Sequence, residues 1–336
     1  VPYETENWRV RLAAPPDLPA IRSLLLRSYG DTYPFPDRLD PTVMLRSMQG
    51  GTAVLGVAET VDGSIVGHAT LDRRNAFGLW EYDRAIVERE LRGTGILAAL
   101  GKLLVLEQGR AVGARFVMGQ VVTSHPYAQR FGRSLGFVAT GLLLGCVPET
   151  MVVAGVAPPA QPISELVMAL RIEKDEPARV VTLLGRDRDR VEAALASLEL
   201  ETASRRGRSG TLGAHFERNG PFGLVHLRFG ANAPPRRLHP GFTEGLEAAG
   251  TRVLWADVPI DHADAPRVID QLRLLGLGYS AYVPAAGVHG EDVVRFQRYL
   301  DTRPLRPEAI HVIEDAHTVA EDVFAECLAM EATAAA

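Results

Sequence analysis

Two groups of residues in this chain have types and spacing that could do chemistry. The first is a glycine-bearing run, Glu90-Leu91-Arg92-Gly93-Thr94-Gly95-Ile96-Leu97, between a strand-like segment, Leu79 to Val87, and a helix-like one, Ile96 to Gln108. A glycine turn that opens a helix aims several backbone N–H groups at one spot, and the helix dipole adds partial positive charge there. Such a spot suits a phosphate. The second group is a pair of carboxylates, Glu81 and Asp83, two positions apart on the strand and so on one face. A carboxylate there could take a proton from an attacking nucleophile. The plainer reading is that both line a polar cleft or pair with Arg73, Arg74 or Arg84.

The turn alone is ambiguous. Gly93-x-Gly95-x-x-Ala98 also fits a dinucleotide fingerprint. That fold wants a parallel βαβ unit and an acidic residue about 20 positions on. Here the next strand, Arg115 to Val121, carries Gln120 and no carboxylate. A Walker-type loop is excluded, because no Gly-Lys-Ser/Thr follows. Upstream lies an antiparallel hairpin, Thr52 to Glu59 and Ile65 to Asp72, turned by Asp62-Gly63. A capped turn with no ligand is the remaining alternative.

With these residues the chain resembles the GNAT superfamily of acyl-CoA-dependent N-acyltransferases. Their pyrophosphate loop reads Arg/Gln-x-x-Gly-x-Gly/Ala, and Arg92-x-x-Gly95-x-Leu97 matches its first two fixed positions while Leu97 departs at the third, usually small. The order of elements is similar too. A strand (Trp8 to Ala13), a helix (Asp17 to Ser28), the hairpin, the central strand and the loop lead into a long helix. A strand (Arg115 to Val121), a short helix (Pro126 to Leu135), Leu135-Gly136-Phe137 and a strand (Ala139 to Val147) follow. The resemblance covers residues 7–173 and implies an α/β (α+β) fold, a mixed, mostly antiparallel central sheet flanked by helices.

The 336 residues suit two domains. The first domain's last strand is expected at Ser164 to Ile172, after a stiff loop, Ala157-Pro158-Pro159-Ala160-Gln161-Pro162. Glu173-Lys174-Asp175-Glu176-Pro177 is the linker candidate. A strand (Arg179 to Leu184) and a helix (Arg188 to Leu198) then open a second domain, 177–331. Its strand Arg252 to Ile260, helix Pro266 to Leu275, strands Tyr279 to Pro284 and Asp292 to Tyr299, and final helix Val319 to Met330 read like the back of the same fold. Leu275-Gly276-Leu277 echoes Leu135-Gly136-Phe137, but nothing between Gly230 and Gly250 reads as a phosphate loop. The expectation is a degenerate GNAT-like domain that covers the substrate cleft or makes a homodimer; an unrelated α/β domain is the alternative.

Composition is ordinary for a globular protein, with 46% hydrophobic and 23% charged residues. No apolar run is long enough to span a bilayer, and Val1-Pro2-Tyr3-Glu4 begins no signal segment. Two cysteines, Cys146 and Cys327, form no disulfide framework, which points to a reducing cytoplasm. A net charge of -5 offers nothing to a nucleic-acid backbone. The cluster Arg205-Arg206-Gly207-Arg208 lies among Ser and Gly and reads as a solvated loop.

The resemblance implies acetyl-CoA or another acyl-CoA as cofactor, held by Arg92, Gly93, Thr94, Gly95, Ile96 and Leu97, with the pantetheine arm along the backbone of Ile86 and Val87. Those two residues would also supply oxyanion-binding N–H groups. Glu81, eleven positions before Arg92, is the expected general base, with Asp83 second. The family's helix motif Asn-x-x-Ala-x-x-x-Tyr becomes His125-x-x-Ala128-x-x-x-Gly132, so the usual acidic Tyr is absent and Tyr127, His125 or water would protonate the thiolate. The aromatic, acidic segment Ser28 to Asp37 is the expected acceptor loop, through Tyr29, Asp31 and Tyr33. The implied reaction is direct acyl transfer to the primary amine of a small molecule. A non-catalytic acyl-CoA sensor, O-acyl transfer and decarboxylation are alternatives. Asp257, Asp261, His262 and Asp264 lack metal-site spacing and read as a solvated turn.

Overall fold

The structure, a computed structural model, describes residues 3–33, 35–151, 159, 161–219, 222–230, 250–301 and 303–334. Ala157, Pro158 and Ala160 of the proline-rich run, and the stretch 231–249 expected to lack a phosphate loop, lie outside the described residues. The chain divides into two compact units. The first comprises Val1–Gly119, Glu149–Ala160 and Arg171–Glu173; the second comprises Gln120–Pro148, Gln161–Leu170 and Lys174–Ala336.

In the first unit, β1 (Trp8–Leu12), β2 (Ala53–Thr60), β3 (Ile65–Arg73) and β4 (Leu79–Val87) pair antiparallel in sequence order. β4 then pairs parallel with the start of β5 (Phe116–Val122). The β2–β3 turn forms where Asp62-Gly63 predicts it: Gly63 has φ +83, and the Asp62 carboxylate accepts from the Thr60 hydroxyl and from Ser64. Helix α1 (Leu18–Tyr29) buries Leu18, Ile21, Leu24, Leu25 and Ser28, a spacing that puts them on one face, and stops at Gly30 with φ +57. A helix not read from the sequence, α2 (Pro41–Gln49), starts where the Asp40 carboxylate accepts from Thr42 N at 2.7 Å. α1, α2, β2 and β3 close one core around Ile21, Leu24, Leu25, Leu55 and Val57.

Helix α3 (Ile96–Gly101) continues through Ala111, with Lys102–Gln108 wound as a π-helix. It crosses β3 at Gly67, where a Cβ would stand 2.8 Å from Ile96 Cγ2. Only a residue without a side chain lets helix and strand meet there.

The second unit holds α4 (Tyr127–Ser134), β6 (Val138–Val147), β7 (Ile163–Arg171), α5 (Gly185–Ser197), β8 (Gly213–Asn219), β9 (Leu224–Gly230), β10 (Val253–Pro259), α6 (Ala265–Leu274), β11 (Gly278–Val283), β12 (Val293–Tyr299) and α7 (His317–Ala334). β6 pairs antiparallel with both β7 and β11, and β12 lies antiparallel between β11 and β10. β9 runs parallel to β10 and antiparallel to β8. The segment Arg179 to Leu184, expected as a strand, is not one. Arg179 makes a single parallel bridge to Thr202, while Thr182 bonds Ile260 O and His262 O. The polar stretch before it is tied down: Glu176 is buried against Arg179, which also holds Asp292 at 2.7 Å.

The element order of the first half recurs. The series β3, β4, β5, α4, β6, β7 is matched by β8, β9, β10, α6, β11, β12, with an antiparallel pair, a parallel pair, a helix and a further antiparallel pair in each. Local detail repeats as well. Arg115 N and Phe116 N both donate to Gly78 O, as Arg252 N and Val253 N do to Gly223 O. Ile172 N donates to Arg115 O, and Leu300 N to Arg252 O. Gly136 (φ +95) and Gly276 (φ +79) end α4 and α6 with the same bonds, Phe137 N to Gly132 O and Leu277 N to Leu272 O. Among the described residues, no helix is long and apolar enough to cross a membrane.

Candidate active site

β4 is bulged. Thr70 of β3 stands opposite Asp83 and His68 opposite Ile86, so Arg84 and Ala85 together face the single residue Ala69. Arg84 takes φ +53, which an L-residue with a side chain rarely adopts. On its other side β4 pairs with β5 only at Leu79, Trp80 and Glu81, opposite Phe116, Val117 and Met118. Within the first unit, Tyr82 to Val87 therefore has a strand neighbour on one side only. Ile86 and Val87 lie in this half-paired segment, both 8% exposed. Their expected role needs backbone N–H and C=O groups, and among the described residues this part of β4 has no strand partner on its β5 side.

The glycine turn follows. Gly93 and Gly95 both take left-handed φ, +83 and +94, and a Cβ on Gly95 would meet only Trp8 at 3.7 Å. Conformation, not crowding, is what demands glycine there. Thr94 is exposed, its hydroxyl donating to Leu91 O at 2.7 Å. Ala99 N donates to Gly95 O, which leaves the amides of Ile96, Leu97 and Ala98 at the open first turn. Ile96 is buried and Leu97 half-buried. Arg92 is exposed, its Nε donating to Val87 O at 3.3 Å. These amides and one exposed guanidinium fit a pyrophosphate; the donor set is cationic and contains no carboxylate between Leu91 and Leu97.

The two carboxylates share a charged face with residues the sequence did not single out. Glu81 is 9% exposed and pairs with Arg74 at 3.3 Å. Burial pushes its carboxyl above the usual range and Asp83 adds to that, while Arg74 opposes. Asp83 is half-buried and pairs with Arg38 at 2.7 Å. Arg84, expected as a partner of this pair, turns instead to Asp72 at 2.6 Å. Burial raises the Asp72 carboxyl too, against the pull of Arg84. Three carboxylates thus face three arginines, and the face as a whole is near neutral.

Of the expected acceptor residues, Tyr29 and Tyr33 join this face. Their rings lie 5.0 Å apart, and Tyr33 packs edge-on against Phe35 at 6.1 Å. Burial raises both phenols, with the Asp83 charge adding to it. Asp31 is exposed. Tyr127 and His125 belong to the second unit, where Tyr127 is 71% exposed and its ring stacks on His125 at 5.2 Å.

No protein-family model matches the chain, and no curated protein matches it. Solved structures similar to it include a ribosomal-protein-S5-alanine acetyltransferase from Vibrio fischeri, 15% identical, covering 53% of this chain and 100% of that one, with a TM-score of 0.41. An N-acetyltransferase from Staphylococcus aureus Mu50 is 19% identical over 50% of this chain and 99% of its own, at a TM-score of 0.40. A spermidine/spermine N-acetyltransferase from Vibrio cholerae is 18% identical over 50% and 94%, at 0.39. At these values each is a similarity and decides nothing about this chain's chemistry.

In the second unit Asp257 and His262, expected in a solvated turn, are instead buried, and the three aspartates of that group are engaged by basic side chains. Asp257 is held by Arg295 at 2.7 Å and by His226 at 2.8 Å, and these two hold its carboxyl far below the usual range despite burial. Asp261 pairs with Arg208 and Asp264 with Arg267. Arg208, expected in a solvated loop, also binds Glu291 at 2.8 Å. Burial drives the Cys146 thiol well above its usual range, which makes it a poor nucleophile.

Proposed function

We propose that the chain is an acyl-CoA-dependent N-acyltransferase of the GNAT type, acting on the primary amine of a small molecule by direct attack on the thioester. The observation that carries this reading is the pairing of two features in one unit. An open helix turn with left-handed Gly93 and Gly95 lies just after a β4 whose second half has, among the described residues, a strand partner on one side only. Arg92 and the amides of Gly93, Gly95, Ile96 and Leu97, beside the exposed Thr94, would hold the pyrophosphate, and the backbone of Ile86 and Val87 would bind the extended arm as a neighbouring strand binds. A bound acyl-CoA, acetyl-CoA for example, supplies the activated carbonyl. Glu81 takes the amine's proton, directly or through water, and its burial-raised carboxyl suits that task near neutral pH. Asp83 orders Arg38 beside it. Tyr29 and Tyr33 wall the acceptor, with Asp31 at the rim. Water returns a proton to the thiolate, an undemanding leaving group at a pKa of about 8.5.

We assign residues 7–173 to the catalytic repeat and 177–331 to a degenerate one. In support, β9 carries no bulge: its seven residues pair continuously with β8, and five pair with β10. His226 occupies the place of Glu81 and is locked to Asp257. A second reading, an acyl-CoA-binding protein without turnover, is favoured by one observation: Glu81 and Asp83 are each already engaged by an arginine. Native mass spectrometry with acetyl-CoA tests the cofactor assignment. One acetyl-CoA per chain, lost in Gly95→Asp, is expected; no binding by the wild type would refute it. Product mass after incubation with amines then separates transfer from binding alone.

A further inference from the structure

Arg84 occupies the bulge position that glycine usually fills. A left-handed φ on a residue with a side chain persists only where its surroundings over-determine it. Here they do. The backbone N–H of Arg84 donates to Asp83 Oδ1 at 2.7 Å, its Nε to Thr70 Oγ1 at 3.2 Å, and its Nη2 to Asp72 Oδ2 at 2.6 Å. Thr70 in turn meets His68 Nε2 at 3.1 Å, and His68 Nδ1 meets Gly56 O at 2.9 Å. His68 and Thr70 are fully buried, and the Arg84 side chain is 9% exposed. A chain of four side chains and one carbonyl, running across β2 and β3, thus grips the one residue of β4 whose backbone is out of register.

We infer that Arg84 is a positioning residue: its side chain, anchored on Asp72, Thr70 and His68, holds the β4 bulge and so aims the backbone groups of Ile86 and Val87. This inference rests on the acyl-CoA reading given above. The extra residue offsets every position after it by one, so the peptide groups that face β3 and those that face the free edge exchange places relative to an unbulged strand. β9, in the same place of the second repeat, serves as an internal comparison. It has no register shift against β8, and no residue of it takes a positive φ. Arginine in place of glycine makes the bulge rigid where glycine would leave it free to relax. The long side chain reaches back three strand positions to Asp72, which no shorter cation could do with the same two-pronged grip.

The test measures acetyl-CoA affinity by calorimetry and thermal midpoint together, for the wild type, Arg84→Gly, Arg84→Lys, Thr70→Val and Gly95→Asp. Arg84→Gly removes the strained φ and the anchor at once. It should weaken acetyl-CoA binding at least about tenfold, equal to 1.4 kcal/mol, and by more than any fall in the midpoint accounts for. Arg84→Lys keeps the charge without the fork and should recover only part of the affinity. Thr70→Val, nearly isosteric, tests the same anchor if Arg84→Gly does not fold, and should also weaken binding. Affinity that is unchanged in Arg84→Gly, or that falls only in step with the midpoint across the series, would overturn the inference. Wild-type binding that Gly95→Asp abolishes and the Arg84 variants leave intact would overturn this inference alone. No wild-type binding would overturn the acyl-CoA reading beneath it.

Discussion

Replacing His68 by Asn should remove a pH dependence from the stability of the first unit. His68 is fully buried, with Nδ1 against Gly56 O and Nε2 against the Thr70 hydroxyl. A carbonyl oxygen only accepts, so Nδ1 carries the proton and Nε2 accepts from Thr70. A second proton would sit in a dry site facing the Arg84 guanidinium. Burial first, and Arg84 second, lower the ring's pKa from 6.5 to about 3. In the unfolded chain the same ring titrates near its ordinary value. Between pH 6.5 and about 3 the unfolded state therefore binds the extra proton and the folded state does not, so stability present above pH 6.5 is lost as the pH falls. The loss is about 2 kcal/mol at pH 5 and saturates at about 5 kcal/mol below pH 3. Urea unfolding at pH 7.5 and pH 5, followed by tryptophan fluorescence in a Trp255→Phe background, reads Trp8 and Trp80 of this unit. His68→Asn loses two hydrogen bonds and will be less stable at both pH values; the quantity that matters is the difference of differences. The wild type should lose about 2 kcal/mol more than the variant between the two pH values. Parallel losses in the two proteins would show that His68 is not held neutral and that the packing around Thr70 and Arg84 is misread.

Glu81→Gln should lower kcat while leaving acetyl-CoA affinity nearly intact. Because a base must be ionised and burial raises this carboxyl, the wild-type rate should climb with pH through an apparent pKa above the usual carboxylate range, a limb the variant lacks; identical pH profiles would remove Glu81 from the mechanism. Truncation after Glu173 should give an insoluble fragment. It strips β6 of β11, of the Ser280 hydroxyl donating to Leu142 O at 2.8 Å, and of Gln297, which bonds Leu144 N and Leu142 O. A soluble, active fragment would show that β6 does not need the second repeat.

Local signals were the legible ones. The Asp62-Gly63 turn, the apolar face of α1 and the glycine turn before α3 each depend on neighbours within one helix turn or hairpin, and the sequence contains all of them. α2 was hidden because Pro41 and Asp40 look like loop residues until the Asp40 cap is seen. β8 and β9 announce themselves in sequence only through the dipeptide Asn219-Gly220 and the short alternation Val225 to Phe229. The carboxylates Glu81 and Asp83 were visible as a pair, but Arg38 and Asp72 reach them only through tertiary structure, and a bulge at Arg84 has no signature without glycine. The boundary was harder still. Continuity of motif places β6 and β7 with the first repeat, while the pairing of β6 with β11 puts them in the second compact unit. Pairing between strands so distant in sequence is not written in either strand alone.

That pairing also sets the order in which the chain can finish folding. Gly141, whose absent side chain lets Ala281 cross it, leaves the ribosome about 140 residues before its partner, which at about 5–20 residues per second is a wait of roughly 7–30 s. Throughout that interval β6 has β7 beside it and an apolar edge, Leu142 to Leu144, without its second neighbour. A newly made first repeat is therefore an unfinished sheet open to other chains, and slowing translation between β7 and β11 should lower the yield of this protein more than slowing it anywhere upstream.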